Sequence, residues 1–282
     1  MGKSDGASGG TPGLLEAALV AAGEEAAAAL KAGSAAARIH DLRKAAKRLR
    51  ALLRLLETPG DDGRATALRR RIAEEARALS GSRDAAAMEE ALADIAGRES
   101  GAVPAGFRLP ESATSPDIVP TGEELAAALQ AAAAEMAGPA RALPTGELLR
   151  RIARFYRKAR RAAHALDPDD AEALHELRKH VVVHRYQLEL IAPFWPRLGK
   201  LWLAEAQKLR DQLGRHHDLD VLAARLEAGA EDAPTGADRA AVAGAARRLQ
   251  HRLARKALRR HARLFAERSG AFRRRWRHYR RA

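Results

Sequence analysis

Apolar residues recur every three or four positions along most of the 282-residue chain, with polar residues between them. This spacing places the apolar side chains on one face of an α-helix, whereas a strand would show alternation. Alanine and leucine are abundant and aromatic residues make up only 4%, which disfavours strands. We therefore predict an all-α protein. The pattern predicts helices at about 12–31, 34–57, 64–79, 82–97, 121–137, 148–166, 167–192, 195–213, 217–228 and 236–268.

Two of these helices begin at recognisable capping signals. Ser34 precedes the second helix and is a suitable N-cap. The sequence DPDD at 167–170 predicts a helix with Asp167 as N-cap and Pro168 in the first turn, because acids favour the positive end of a helix.

The domain organisation follows from where the helical period stops. Residues 98–120 are rich in Pro, Gly and Ser, so we expect a linker between two halves. Residues 1–11 lack the apolar core of a signal peptide and are expected to be flexible. Residues 269–282 are expected to form a solvated basic tail. The domain itself is expected to span about 12–268, with repeat one at 12–97, the helix at 121–137, and repeat two at 145–268.

The two halves repeat one another in sequence. RIHDLRKAAKRLRALLRLLE at 38–57 aligns with ALHELRKHVVVHRYQLELIA at 173–192 at a constant offset of 135. Each copy is followed, after another helix, by a glycine-containing break and an aspartate, ALSGSRDAAAM at 78–88 and QLGRHHDLDVL at 212–222. This order predicts an internal duplication and two pseudo-symmetric helical bundles.

Each copy of the repeated helix carries an apolar seam beside a row of cations. In the first copy the seam comprises Ile39, Leu42, Ala46, Leu49, Leu53 and Leu56. The row beside it, here called the first basic stripe, comprises His40, Arg43, Lys44, Lys47, Arg50 and Arg54. In the second copy the seam comprises Leu174, Leu177, Val181, Leu188 and Ile191, and the second basic stripe comprises His175, Arg178, Lys179 and Arg185. Both helices should therefore pack by one face and present cations along the next.

The charge of these stripes needs a partner. Like charges at helical spacing repel, and the whole chain carries a formal charge of +14. Two stripes related by a repeat can face one another across a basic groove that concentrates a polyanion. Alternatively, the cations are solvated or are neutralised by acids of neighbouring helices, such as Glu74, Glu75 or Asp84. Arg154, Arg157 and Arg161 of the 148–166 helix lie near one face and could add to the same surface.

The histidines allow more than one interpretation. His216, His217, Asp218 and Asp220 could form part of a metal site, but the first repeat has no histidines at the matching positions. The repeat keeps Asp84 and Asp218, which suit a helix start or an arginine contact.

His184 replaces an apolar seam residue and is expected to be a packed, hydrogen-bonded core residue. His40 and His175 suit either helix packing or a phosphate contact.

Other classes of function have little support in the sequence. The chain has no cysteine, no apolar run of the roughly 20 residues that span a bilayer, and no phosphate loop or hydrolase motif. We therefore expect a cytoplasmic protein without catalytic residues, metal or cofactor, which does not bind membranes.

The paired HDLRKAAKRLR and HELRKHVVVHRY, followed by LSGSRD and LGRHHDLDVL, resemble the CHAD family, the conserved histidine α-helical domain. The resemblance covers about residues 12–268. It implies two helical bundles around a basic cavity, binding of inorganic polyphosphate, and association with polyphosphate granules. It also implies that the ligand-facing residues are those of the two basic stripes other than Arg54, which the position of its side chain alone adds to the candidate set.

The second copy departs from this pattern. Val182 and Val183 stand where the first copy has Lys47 and Arg48, and Glu189 replaces Arg54. The second half is therefore expected to bind polyphosphate less tightly, or to bind it through Arg215 and the 148–166 helix instead.

The resulting expectation is a polyphosphate-binding protein, with two alternatives. A nucleic-acid-binding protein could use the same basic surfaces, although only Tyr156, Tyr186 and Trp195 are candidates for base stacking. A metal-dependent phosphohydrolase around His216 and His217 is the weaker alternative.

Overall fold

The computed structural model describes residues 13–57, 62–79, 81–109, 122–228 and 236–282, with the backbone alone at 81–86. Within these residues the chain forms ten α-helices, a short 3-10 helix at Ala192–Phe194 and no strand, which confirms the all-α prediction. The prediction for residues 1–11 lies outside the described residues. The helices are α1 (Leu14–Ala29), α2 (Ala35–Leu53), α3 (Arg64–Ala78), α4 (Gly81–Arg98), α5 (Glu123–Arg141), α6 (Thr145–Ala162), α7 (Ala171–Leu188), α8 (Pro196–Ala228), α9 (Gly236–Leu264) and α10 (Ser269–Tyr279).

The helix starts follow the capping signals with one correction. Ser34 caps α2, where its hydroxyl accepts a hydrogen bond from the Ala37 backbone N–H at 3.2 Å. The N-cap of α7 is Asp170, not Asp167, and its side chain accepts from the Ala173 N–H at 2.9 Å. Asp167 instead accepts from the Asp169 N–H at 3.0 Å, which closes a turn before the helix.

Two helices continue through residues that were expected to end them. Helix α8 runs unbroken through Gly214, so the separate helices predicted at 195–213 and 217–228 are wrong. A single glycine costs a helix only about 1 kcal/mol, which the packing of a 33-residue helix can offset. Asp218 therefore lies inside a helix and not at a helix start. Helix α5 likewise passes Pro139, because a proline in the last turn removes little of the hydrogen-bond ladder.

The chain divides into two compact units, which are described separately. Unit 1 comprises the described residues of Met1–Ala73 and Gly122–Leu148, and unit 2 those of Glu74–Thr121 and Leu149–Ala282. In unit 1, helix α1 packs against α2 and α5. Gly23 permits the close approach of α1 to α5, since an added Cβ would lie 3.1 Å from the Ala133 Cβ. The groove expected between the two repeats stays a prediction.

Unit 2 is built around the long helices α8 and α9. Their apolar faces form a core with α4, in which Ile95 and Leu222 are fully buried. Helix α4 belongs to repeat one in sequence, so the compact units do not follow the repeat boundaries. The apolar period of α4 predicts which of its faces is buried but not which helices cover that face. Residues of the predicted linker also contribute, because Val103 and Phe107 pack against this core.

The C-terminal residues are a packed helix, which corrects the expectation of a solvated tail. Phe272 and Trp276 of α10 are both fully buried. Tyr156 of α6 stacks on Phe272 with ring centroids 4.3 Å apart and donates a hydrogen bond from its hydroxyl to the Glu267 carbonyl at 3.1 Å. Burial raises the pKa of Tyr156. Arg274 and Arg277 are exposed on the outer face of the helix, while its aromatic residues anchor it to unit 2.

Among the described residues, no helix is both long and apolar enough to cross a membrane.

His184 lies within the same aromatic core of unit 2. Its side chain is 1% exposed and contacts the rings of Tyr156, Phe265 and Phe272. The expectation of a packed histidine is confirmed, but neither ring nitrogen has a hydrogen-bond partner among the described residues. Burial lowers the pKa of His184 to about 3. The imidazole is therefore neutral in the folded protein at physiological pH.

We expect His184 to make folding stability sensitive to acid. In the unfolded chain this histidine gains a proton below its ordinary pKa of 6.5, whereas in the folded chain it does not until about pH 3. Its contribution is complete above pH 6.5. As the pH falls from 6.5 to about 3, the free energy of unfolding decreases by about 1.4 kcal/mol per pH unit. His184→Leu, which restores the Leu49 of the first repeat, should lower that slope by the same amount in urea unfolding from pH 7 to 4. Equal slopes in the His184 variant and the wild type would contradict the prediction.

Candidate functional site

The first basic stripe lies on α2 beside a fully packed seam. Ile39, Leu42, Ala46, Leu49 and Leu53 are buried, as predicted. In the stripe, His40 and Lys44 are exposed, whereas the other four cations are half-buried, namely Arg43, Lys47, Arg50 and Arg54. Half-burial is typical of long cationic side chains whose aliphatic stems pack on the protein and whose charged ends reach water. The helix therefore presents a row of cations along unit 1.

Part of the positive charge around α2 is neutralised within unit 1. Arg48, which is not a member of the stripe, pairs with Glu25 of α1. Glu57 pairs with Arg69 of α3. Burial and the nearby Arg69 lower the pKa of Arg54, while Glu57 opposes them. His40 and Lys44 have no hydrogen-bond or ion-pair partner among the described residues, so this end of the stripe is the most open to an anion.

The second basic stripe, on α7, has acids within its own helix. Lys179 donates to Glu176 at 2.6 Å and Arg185 donates to Glu189 at 3.0 Å. Arg185 also lies over the Tyr186 ring, 5.0 Å from its centroid. Partly exposed pairs of this kind stabilise little and leave their cations available to a stronger anion. Glu189 stands where the first copy has Arg54, and it pairs with Arg185 within the second copy.

Two of the repeated motifs meet in unit 2, where α7 packs against α8. The His175 ring lies against the His217 ring, with centroids 4.3 Å apart. The guanidinium of Arg178 lies over Gly214, and its Nη2 is 3.6 Å from where a Cβ on that glycine would be. His175, Arg178 and Lys179 share one face of α7, while Gly214 and His217 share one face of α8. We call His175, Arg178, Lys179 and His217 the α7–α8 cluster.

Burial and the charges of the α7–α8 cluster lower the pKa of His175. Burial lowers the pKa of His175, and His217, Lys179 and Arg178 lower it further, against a smaller opposing effect of Glu176. Its Nδ1 is buried without a hydrogen-bond partner among the described residues. The neighbouring charges therefore create a positive potential at His175, which a phosphate placed there would offset.

The place of Gly214 inside a continuous helix was missed in the sequence, where it was taken as a break. The Arg178 guanidinium lies beside it, at a distance where an added Cβ would make an ordinary van der Waals contact. A longer side chain at this position would occupy the same space. The corresponding positions of the first repeat, 80–84, lie outside the residues whose side chains are described, so the comparison ends there.

His216 and His217, although adjacent, have different surroundings. His216 is 2% exposed, and burial lowers its pKa to about 4. Asp220 accepts hydrogen bonds from Arg247 at 2.6 Å and Gln250 at 3.1 Å, both on α9. Within the described part of the chain, no three His, Asp or Glu side chains are grouped as they would be around a metal ion. The structure thus gives the metal hypothesis no set of ligands.

The remaining predicted site residues are Arg215 on α8 and three arginines of α6. Arg215 is exposed on α8, about 160° around the helix from His217, so it faces another direction. On α6, Arg157 and Arg161 are exposed, and Arg154 is half-buried over the Phe155 ring at 5.3 Å. Participation of the α6 arginines stays a prediction.

The fold and the site together define an all-α protein with rows of cations along its helices. A family model described as the CHAD domain matches residues 14–227. The chain therefore belongs to the CHAD family. No curated protein and no solved structure matches it.

Proposed function

We propose that this protein binds inorganic polyphosphate without chemical turnover, through the α7–α8 cluster and the first basic stripe. The observation that carries the proposal is the contact between α7 and α8, where the His175 ring lies against the His217 ring and Arg178 lies over Gly214. These are the HxxRK and GRHH motifs, which are distant in sequence. Membership of the CHAD family, which is associated with polyphosphate, supports the same ligand.

The side chains of the cluster suit a chain of phosphates. The planar guanidinium of arginine can donate two parallel hydrogen bonds to phosphate oxygens, and lysine adds a compact charge. Because Arg178 and His175 are half-buried, their interactions are less screened by salt than those of fully exposed cations. Unit 1 offers a separate row of cations, the first basic stripe, in which Lys44 and His40 are exposed.

The aromatic residues favour polyphosphate over a nucleic acid. Two of the three candidates for base stacking, Tyr156 and Tyr186, are buried in unit 2, with exposures of 0% and 3%. Only Trp195, with 44% exposure, presents part of its ring to solvent. Sequence-tolerant binding of single strands relies on several exposed aromatic side chains. A ligand without bases therefore fits this surface better, and we propose that it directs the protein to polyphosphate granules.

A competition experiment separates polyphosphate from nucleic acid. At one ionic strength, the full chain is bound to fluorescent single-stranded DNA and then titrated with long-chain polyphosphate, and the converse titration is also made. Polyphosphate should displace DNA at lower concentrations of charged groups, because its charges are denser and need no stacking partners. Equal or better competition by DNA or duplex RNA would overturn the proposal. Phosphate release on addition of Mg²⁺ or Mn²⁺, lost in His217→Ala, would contradict its non-catalytic part.

A further inference from the structure

A second surface of unit 2 combines an apolar row with a cationic row. A groove of about 740 Å³ lies between the first half of α8 and the last half of α9. None of its lining residues belongs to the basic stripes or the α7–α8 cluster. The groove therefore needs an explanation separate from polyphosphate binding.

The apolar row comes from α8. Leu198, Leu201 and Trp202 line the groove at positions i, i+3 and i+4 of one helix face. Leu201 is 61% exposed, the highest value among the large apolar residues whose side chains are described. The Trp202 ring is held in place from behind, with the guanidinium of Arg275 4.0 Å from its centroid. An exposed leucine beside a fixed tryptophan forms a preformed apolar surface.

The cationic row comes from α9. Lys256, Arg259 and Arg263 line the groove at positions i, i+3 and i+7 and are exposed, and they have no ion-pair partner among the described residues. Arg260, which lies in the same row, is already paired with Glu205 of α8. The row extends about 10 Å along the helix axis, which is two helical turns.

We propose that this groove binds an acidic amphipathic helix of a partner protein. Such a helix would place leucine-like side chains on Leu201 and Trp202 while its carboxylates, spaced i, i+3 and i+7, meet Lys256, Arg259 and Arg263. Helices recognised in grooves are read through anchors at this spacing. Polyphosphate matches only the cations and leaves Leu201 exposed, so it does not account for the apolar row.

The consequence is a division of labour within unit 2. The α7–α8 cluster would hold the polymer, while the groove between α8 and α9 would recruit a protein to it. The two sites use different chemistry, so each can be disabled without the other.

The test uses the full chain and a synthetic amphipathic peptide of about 16 residues, with glutamates at i, i+3 and i+7 and leucines on the adjoining face. A scrambled peptide of the same composition is the first control. The designed peptide should bind in fluorescence anisotropy at least about tenfold more tightly than the scrambled one, because only it presents both rows together. Equal binding of the two peptides would overturn the proposal.

Variants then separate the two rows. Leu201→Ser changes no charge and should weaken peptide binding about tenfold while leaving polyphosphate binding unchanged. The double variant Arg259→Glu/Arg263→Glu should weaken peptide binding more than the control double variant Lys200→Glu/Arg255→Glu does. The control makes the same change of charge at exposed cations outside the groove. Retained peptide binding in Leu201→Ser, or equal losses in the two double variants, would show that the groove is not the site.

Discussion

Arg178→Glu is expected to weaken polyphosphate binding by between about tenfold and a hundredfold. Arg178 is half-buried over Gly214 and adjoins His175, so its loss removes a charge-assisted contact worth roughly 1.5–3 kcal/mol. The introduced carboxylate also repels the polymer. The slope of affinity against salt concentration should become shallower by about one counterion. Isothermal titration calorimetry with long-chain polyphosphate at two or more salt concentrations measures both effects.

A matched charge reversal separates this local effect from a general loss of positive charge. Arg277→Glu makes the same change on the exposed face of α10 and should alter affinity much less than Arg178→Glu. Both variants should keep the wild-type helical circular dichroism. If Arg178→Glu unfolds the chain, the neutral Arg178→Gln provides the binding comparison. Affinities of the Arg178 variants equal to that of Arg277→Glu would place the site elsewhere.

Trp276→Ala is expected to lower the free energy of unfolding by about 3–5 kcal/mol. The side chain is 0% exposed and lies among Phe272, Trp202 and Tyr279, so its removal leaves a large cavity in the aromatic core of unit 2. Urea unfolding followed by circular dichroism measures the change. A loss this large is expected only if α10 is an integral part of unit 2.

Two further variants test the reason for that loss. The Trp276 Nε1 is buried without a hydrogen-bond partner among the described residues, so Trp276→Phe removes an unsatisfied donor along with some apolar surface. It should therefore cost much less than Trp276→Ala. The exposed Arg277→Ala should change stability by less than about 0.5 kcal/mol. If Trp276→Ala changed stability as little as Arg277→Ala, α10 would be a solvated tail and not part of the core of unit 2.

The sequence predicted most helices because their apolar period is strong and tertiary contacts rarely override it. It predicted the wrong ends where a local signal competed with long-range packing. Gly214 and Pro139 favour a helix break locally, but the helices that contain them are held by neighbours over their whole length. The aromatic residues of α10 also recur at helical spacing, Phe272 and Trp276 being four apart, and this signal was obscured by the surrounding arginines.

The candidate site was predicted in part for a similar reason. The members of each basic stripe could be identified, because residues on one helix face follow from spacing alone. The contact of His175 with His217 could not, because it depends on how α7 packs against α8. The direction of Arg215 was missed for a different reason, because the helix break predicted near Gly214 hid that Arg215 lies on one helix with His217, about 160° from it. The pairs of Glu176 with Lys179 and of Glu189 with Arg185 lie at i,i+3 and i,i+4, so their spacing does predict them, and they were overlooked in the sequence.

The central claim is that polyphosphate binds at the α7–α8 cluster, and the titration of His175 reports on it directly. Without ligand, burial and neighbouring cations hold the pKa of His175 below 6.5. A bound phosphate favours the protonated imidazole, so its pKa should rise. Binding then takes up a proton, and affinity should increase as the pH falls through the raised pKa.

The decisive measurement is the NMR titration of ¹³C-labelled histidines with and without saturating long-chain polyphosphate, with the His175 signal assigned from the His175→Asn spectrum. We predict that binding of the polymer raises the pKa of His175, while the signal of the exposed His164, which follows α6, changes much less on addition of the polymer. Saturable binding of the polymer with the pKa of His175 unchanged would contradict the claim.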